Sequence, residues 1–410
     1  MSSNNPIGII ELGNVSIKCL IFKINNINNP EILSTSKISS QGIHNGVVVN
    51  LDKATKTIRS CISNAEKQAG ILLKKINVII EQPEFLCTKF SKSKKINGSK
   101  IYKNDIEFLL SEAKKQVTLN DSKQSIVHIF NHNYIVDGKT FIEEPIDVYA
   151  DHLSHEMTFI TMPKNNIKNI YQTFIDCDIE IERFISCSFS LAVQLLNSSE
   201  LQYGSILVDL GFEKTSLVIF KNLAIVNSIT FPLGSNHITK DLSKVCSLSL
   251  EESEVIKNNL DIFSKKNSKL FDKNAYLINT FFTVSSFRKI SESLILSIVQ
   301  ARLDEILKLI KKQIDLVGLN SNVGLKIFLV GGGSKLINLN RYCSDFFNIE
   351  SKTFENDNKK ITQLMDDSFN SCLGALKIIN DGWETEAIPA TVDNSVEKIS
   401  FFSKIFKSGL

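Results

Sequence analysis

Several absences narrow what this 410-residue chain can be. Its eight cysteines are scattered with no C-x-x-C pair, which argues for reduced thiols rather than a disulfide framework or a zinc ribbon. No stretch approaches the roughly 18 consecutive apolar residues of a membrane span, and the start shows no basic-then-apolar signal segment. A cytoplasmic, non-spanning protein is the expectation. The net charge of +3 is too small to argue for a nucleic-acid partner. His128 with His132 and His152 with His155 have metal-compatible spacings, but both pairs fall in strand-like segments where successive side chains alternate faces. No Cys or acidic cluster completes either set, so no metal site is expected. No Ser/His/Asp arrangement stands out either, and no catalytic residue is assigned.

What is present is a repeated hairpin. Residues 7–22, IGIIELGNVSIKCLIF, run as an apolar strand, an acidic-x-Gly turn (Glu11-Leu12-Gly13) and a second apolar strand. Residues 205–220, SILVDLGFEKTSLVIF, follow the same plan through Asp209-Leu210-Gly211. Such turns grip phosphates with backbone N–H groups, and small residues let those groups approach. The second turn instead carries Phe212, Glu213 and Lys214. The half-chain spacing suggests a duplicated architecture, and the length calls for two or more domains.

Between the hairpins, apolar positions Ala54, Ile58, Cys61, Ile62 and Ala65 predict a helix over 51–69, followed by a buried strand at 78–80. Residues 82–163 differ in texture. A basic patch (Lys89, Lys92, Lys94, Lys95, Lys100) reads as a solvated loop, ahead of a helix near 104–117 and strands at 125–136 and 155–161. Helices are expected at 165–174, 186–197, through much of 234–315 (a long one over 290–315) and near 369–379. The strand 327–330 runs into Gly331-Gly332-Gly333, where bare backbone can support a flat ligand at a helix start.

Two acidic-turn hairpins and a strand-GGG-helix turn, in this order, resemble the actin, Hsp70 and sugar-kinase superfamily. Within it the chain resembles the FtsA family of actin-like bacterial cell-division proteins. QGIHNGVVVNLDKATKTIRSCISNAE (41–66) is similar to the family segment after the first hairpin. PLGSNHITKDLSKVCSLSLEESEVIKNN (232–259) is similar to the stretch after the second, with Gly234, Thr239, Asp241, Leu242, Glu254 and Lys257 in the family pattern. The fold this implies is α/β and actin-like: a duplicated fold with a small inserted α+β subdomain and a C-terminal amphipathic helix. The expected division is 1–81 plus 164–190, an insert at 82–163, 191–230 plus 316–381, a helical subdomain at 231–315, a linker at 382–394 and a terminal helix at 395–410.

The resemblance implies a nucleotide site, ATP with Mg, at Glu11, Gly13, Asn14, Asp209, Gly211, Gly234, Glu254, Lys257, Gly331, Gly332 and Gly333. Adenine would lie near Gly332 and Gly333, and ribose near Glu254 and Lys257. Departures weaken the grip. The lysine that usually closes the first turn is replaced by Ser16, with Lys18 two residues on, and the second turn carries a carboxylate that would repel phosphates. Binding with at most weak ATPase activity is the expectation. Arg288 and Arg302 match positions that contact the acidic C-terminal peptide of the tubulin-like protein FtsZ.

In SVEKISFFSKIFKSGL (395–410), a helix groups Val396, Ile399, Phe402, Ile405, Phe406 and Leu410 on one face, with Lys404 and Lys407 on the other. That pattern fits an interfacial membrane anchor drawn to anionic lipid. The resemblance thus implies a self-assembling scaffold, peripheral on the cytoplasmic face of the inner membrane, that joins the FtsZ ring and other division proteins to it. A pilus-assembly relative or a superfamily ATPase or kinase is the alternative.

Overall fold

The computed structural model describes residues 6–24, 30–263, 270–284, 289–318, 325–354 and 366–380. They divide into two compact units, one drawn from 1–204, 218–229 and 358–410 and the other from 205–217 and 230–357.

In the first unit, β1 (Ile7–Leu12) and β2 (Ser16–Ile24) form the first hairpin, and β3 (Pro30–Ser39) pairs with β2. A short hairpin, β4 (Ile43–His44) and β5 (Val47–Val48), leads into α1 (Leu51–Ala69). This helix starts because the Asn50 side chain accepts from Lys53 N and stops at Gly70, which adopts the left-handed conformation. Its buried stripe is Ala54, Thr57, Ile58, Cys61, Ile62 and Ala65. The chain then adds β6 (Lys75–Ile80), parallel to β1.

Next come β7 (Leu86–Lys100), α2 (Lys103–Asn120), β8 (Gln124–Val136), β9 (Lys139–Phe141) and β10 (Tyr149–Pro163), with the four strands ordered β7-β10-β8-β9. Ile106, Leu109, Leu110 and Ala113 of α2 cover one face of that sheet. The expected basic loop is therefore a 15-residue strand. Sequence patterning misses it because β7 is an edge strand, exposed along most of its length, so lysines occupy both faces and no apolar alternation develops. After α3 (Lys164–Ile175), β11 (Glu180–Ser186) joins β6 in parallel, followed by α4 (Cys187–Leu195) and α5 (Ser198–Tyr203).

The remaining strands are β12 (Ser205–Leu210), β13 (Thr215–Lys221), β14 (Ala224–Phe231), β15 (Ile327–Val330) and β16 (Ser351–Thr353). Their order, β14-β13-β12-β15-β16, repeats that of the first sheet, β3-β2-β1-β6-β11. In each, an N-terminal hairpin strand takes the centre, with a parallel crossover strand beside it. The duplication predicted from the two hairpins is thus carried by the whole strand order. The α-helices of the second unit are α6 (Ser235–Cys246), α7 (Leu250–Asn259), α8 (Glu292–Val317) and α9 (Leu339–Phe347). Ile295, Val299, Leu303, Ile306, Leu307, Ile310 and Ile314 bury one stripe of α8, which ends at left-handed Gly318. Between α7 and α8 the described chain is mostly irregular, where more helix is expected from the sequence. Last, α10 (Asn370–Asn380) returns to the first unit and packs on α4.

Candidate functional site

The first turn is Gly13-Asn14-Val15, between β1 and β2. The ladder sets Glu11 directly opposite Lys18, so the lysine two residues past the expected place is the cross-strand partner of the turn acid. Lys18 Nζ donates to Glu11 Oε2 at 2.8 Å and to the Ser368 carbonyl at 2.6 Å. Burial would lower the lysine pKa, but the Glu11 carboxylate outweighs it and holds Lys18 above the ordinary lysine range. Ser371, the second residue of α10, also donates to Glu11. Both charged side chains are only about one-eighth exposed, at 12% and 13%. The Asn14 side chain bonds Asn45 and accepts from Gly46 N, tying the turn to the β4–β5 loop.

The second turn is closed by Gly211 N donating to the Lys214 carbonyl at 3.0 Å. It is stapled to the start of α6: Ser235 N donates to Gly211 O and Asn236 N to Phe212 O. Gly234 is required there, since a Cβ would lie 2.5 Å from Phe212 O and 2.6 Å from Lys214 N. The intruding Glu213 carboxylate does not stand free in the turn. It accepts from Asn236 Nδ2 at 2.7 Å and from Lys240 Nζ at 3.2 Å. Burial raises its pKa, yet those two donors hold the carboxyl below its usual range. The N–H groups of Phe212 and Glu213 find no acceptor among the described residues.

The three glycines after β15 have different tasks. Gly331 has φ +85°, and a Cβ on it would sit 2.2 Å from Asp209 Oδ1; one on Gly333 would meet the Leu210 side chain at 2.5 Å. Both are held by packing against β12. Gly332 is exposed, and a Cβ there meets nothing within 4 Å. It is the only one of the three at which a side chain would meet open space. Glu254 and Lys257 lie on α7 and engage each other at 2.7 Å, with Thr239 Oγ1 donating to Glu254 at 2.6 Å. Lys257 is buried, also donating to Thr239 Oγ1 and toward the Ser235 carbonyl. Glu254 is 39% exposed and is the accessible member of the pair.

Arg302 on α8 pairs with both oxygens of Asp241, at 2.6 and 3.0 Å, and with Glu305. Arg288 and the whole 395–410 segment lie outside the described residues. The histidines separate by burial. Buried His128 accepts from Ser186 N, and burial takes its pKa down to about 3. His155 stacks on Tyr134 with centroids 4.3 Å apart, and burial lowers its pKa to about 4. Among the described residues, no helix is long and apolar enough to cross a membrane.

The sequence pattern reaches Glu11, Asp209, Glu213 and the glycines but not the side chains that hold Glu11 and Glu213. Lys240, Asn236 and Ser371 carry no signal of their own in the sequence. The start of α6 brings Asn236 and Lys240 to the second turn, and the start of α10 brings Ser371 to the first.

Comparisons with known proteins agree with this geometry. The family described as cell division protein FtsA matches residues 206–374, and the SHS2 domain inserted in FtsA matches residues 85–161. The cell division protein FtsA of Agrobacterium fabrum is 23% identical over 354 residues, covering 81% of this chain and 77% of that protein. Among solved structures, the PilM-PilN type IV pilus biogenesis complex aligns with a TM-score of 0.62 at 12% identity, covering 91% of this chain and 98% of that one. MreB5 of Spiroplasma citri, solved bound to ADP, aligns with a TM-score of 0.53 at 14% identity, over 93% and 98% of the two chains. The fold is the actin-like one with an SHS2 insert. With both of its characteristic domains matched in their expected order, the chain belongs to the FtsA family of cell-division proteins.

Proposed function

We propose that the chain is a membrane-associated division scaffold that self-assembles, binds the C-terminal peptide of FtsZ and tethers the FtsZ ring to the cytoplasmic face of the inner membrane. The observation that carries the tethering is the 395–410 sequence, whose apolar face (Ile399, Phe402, Ile405, Phe406) lies opposite Lys404 and Lys407. A single helix of this length binds a bilayer reversibly, and a row of them along a polymer holds through multivalency. Arg288 and Arg302 are the residues proposed to meet the acidic peptide, and Arg302 is paired with Asp241 and Glu305.

Mg-ATP is the nucleotide proposed, and the second unit has groups that fit it. The amides of Phe212 and Glu213 suit a phosphate, the open backbone of Gly332 suits a flat base, and the exposed edge of Glu254 suits a ribose hydroxyl. Asp209, Gly211, Gly234, Lys257, Gly331 and Gly333 shape those surfaces. In the first unit the candidates are Glu11, Gly13 and Asn14. Bound nucleotide would supply a polyphosphate for the Phe212 and Glu213 amides of the second turn.

The tether is tested with the F402E/F406E variant and vesicles containing anionic phosphatidylglycerol. Loss of co-sedimentation with unchanged melting is the expected result. Retention on vesicles places the anchor elsewhere, and unfolding makes the segment part of a core.

A further inference from the structure

The second turn bears a carboxylate beside amides that suit a phosphate, and that carboxylate is held by one helix. Glu213 Oε1 accepts from Asn236 Nδ2 and Lys240 Nζ, and Glu213 Oε2 lies 3.3 Å from the same ammonium. His237 Nδ1 stands 4.0 Å from Oε2. Asn236 and Lys240 are four apart on α6, so both donors leave the same face of the helix. The main chain of the turn is fixed to that helix as well, through Gly211 O and Phe212 O. Those two carbonyls and Lys214 O are all accepting bonds, while the N–H groups of Phe212 and Glu213 have no acceptor among the described residues. Adjacent unmatched amides attract an anion, and an uncompensated carboxylate one residue away repels it.

We propose that Lys240, with Asn236, is a charge-cancelling clamp that holds Glu213 against α6 and thereby lets the second turn accept a polyphosphate. Lys240 is a positioning residue in this arrangement. It acts on the ligand through Glu213, and it is itself half-exposed at 50%. The inference rests on the nucleotide reading above. It adds that the intruding residues of the turn are compensated, and that the compensation sets phosphate selectivity. Freeing the carboxylate penalises the ligand with more charge, so a triphosphate suffers more than a diphosphate. The penalty shrinks as salt screens it.

The test is titration calorimetry of Mg-ATP and Mg-ADP with the full chain, K240A, K240Q and the double variant E213A/K240A, with melting followed for each. K240A and K240Q are expected to bind Mg-ATP roughly tenfold more weakly and Mg-ADP about threefold more weakly. E213A/K240A is expected to return both affinities to within about twofold of the starting protein, because the unpaired carboxylate is gone. Affinities unchanged in K240A, or a double variant as weak as K240A, overturn the clamp while leaving nucleotide binding intact. If the unmodified chain binds neither nucleotide, the nucleotide reading fails and the clamp falls with it.

Discussion

The two acidic-turn hairpins occupy the same place in sheets of the same strand order, yet they spend their charges differently. In the first, Glu11 is nearly buried, opposite Lys18, and fastened to the start of α10 through Ser371. In the second, Asp209 packs against Gly331, and the extra acid Glu213 is held by a half-exposed lysine on α6. Duplication preserves the ladder because register and burial demand it, whereas a turn's side chains answer only to what lies next to them. One hairpin has become an internal fastening, and the other keeps unmatched amides and an open glycine nearby.

If that contrast is right, acid should strike the first unit hardest. His128 and His155 are buried with pKa values of about 3 and about 4, below the usual value of 6.5. Their folded pKa values are depressed, so stability is complete above about pH 6.5 and is lost as pH falls toward 4. The unfolded chain takes up protons that the folded one refuses. Between pH 7.5 and 5 this amounts to about 4 kcal/mol for the pair. Denaturant melts across that range should show the fall, and H155F, which keeps a ring against Tyr134, should remove about half of it. A flat profile would mean that neither histidine is held neutral.

The next largest effect is expected at the first hairpin. K18A leaves Glu11 nearly buried without its ammonium, at a cost of about 3 kcal/mol. A loss under 1 kcal/mol would make the pair an ordinary surface contact and erase the contrast with the second turn. Within the second unit, G331A forces φ +85° on a side chain and drives a Cβ into Asp209, costing about 2 kcal/mol. G332A, where the same atom meets open space, should stay within about 0.5 kcal/mol of the starting protein. Equal costs at the two glycines would mean that the turn is packed all round.

Much of the frame was legible in the sequence. Helix α1 runs from Leu51 to Ala69, as its apolar period requires. The repeat of strand–acid–Gly–strand pointed to duplication, which the two sheet orders display. Other features depend on neighbours that no local pattern names. β7 stays hidden because lysines stand on both faces of this edge strand, and only Phe90 and Ile96 mark the side that α2 covers. The role of Lys18 depends on a ladder register that places residues seven apart opposite each other. Three consecutive glycines look alike in sequence, and only the distances to Asp209 and Leu210 separate Gly331 and Gly333 from Gly332. Phe212-Glu213-Lys214 reads as an eroded grip until α6 supplies Asn236 and Lys240 to hold the carboxylate.

The most direct measurement is titration of Mg-ATP into the full chain and into G332V. Valine at 332 points into open space, so the fold should persist with melting within about 2 °C, while the surface offered to a flat base is blocked. Saturable one-site binding by the unmodified chain, weakened at least about tenfold in G332V, is the expected result. Equal affinity in the two proteins, or no binding by the unmodified chain at millimolar Mg-ATP, would contradict a nucleotide site built on the second turn and its open glycine.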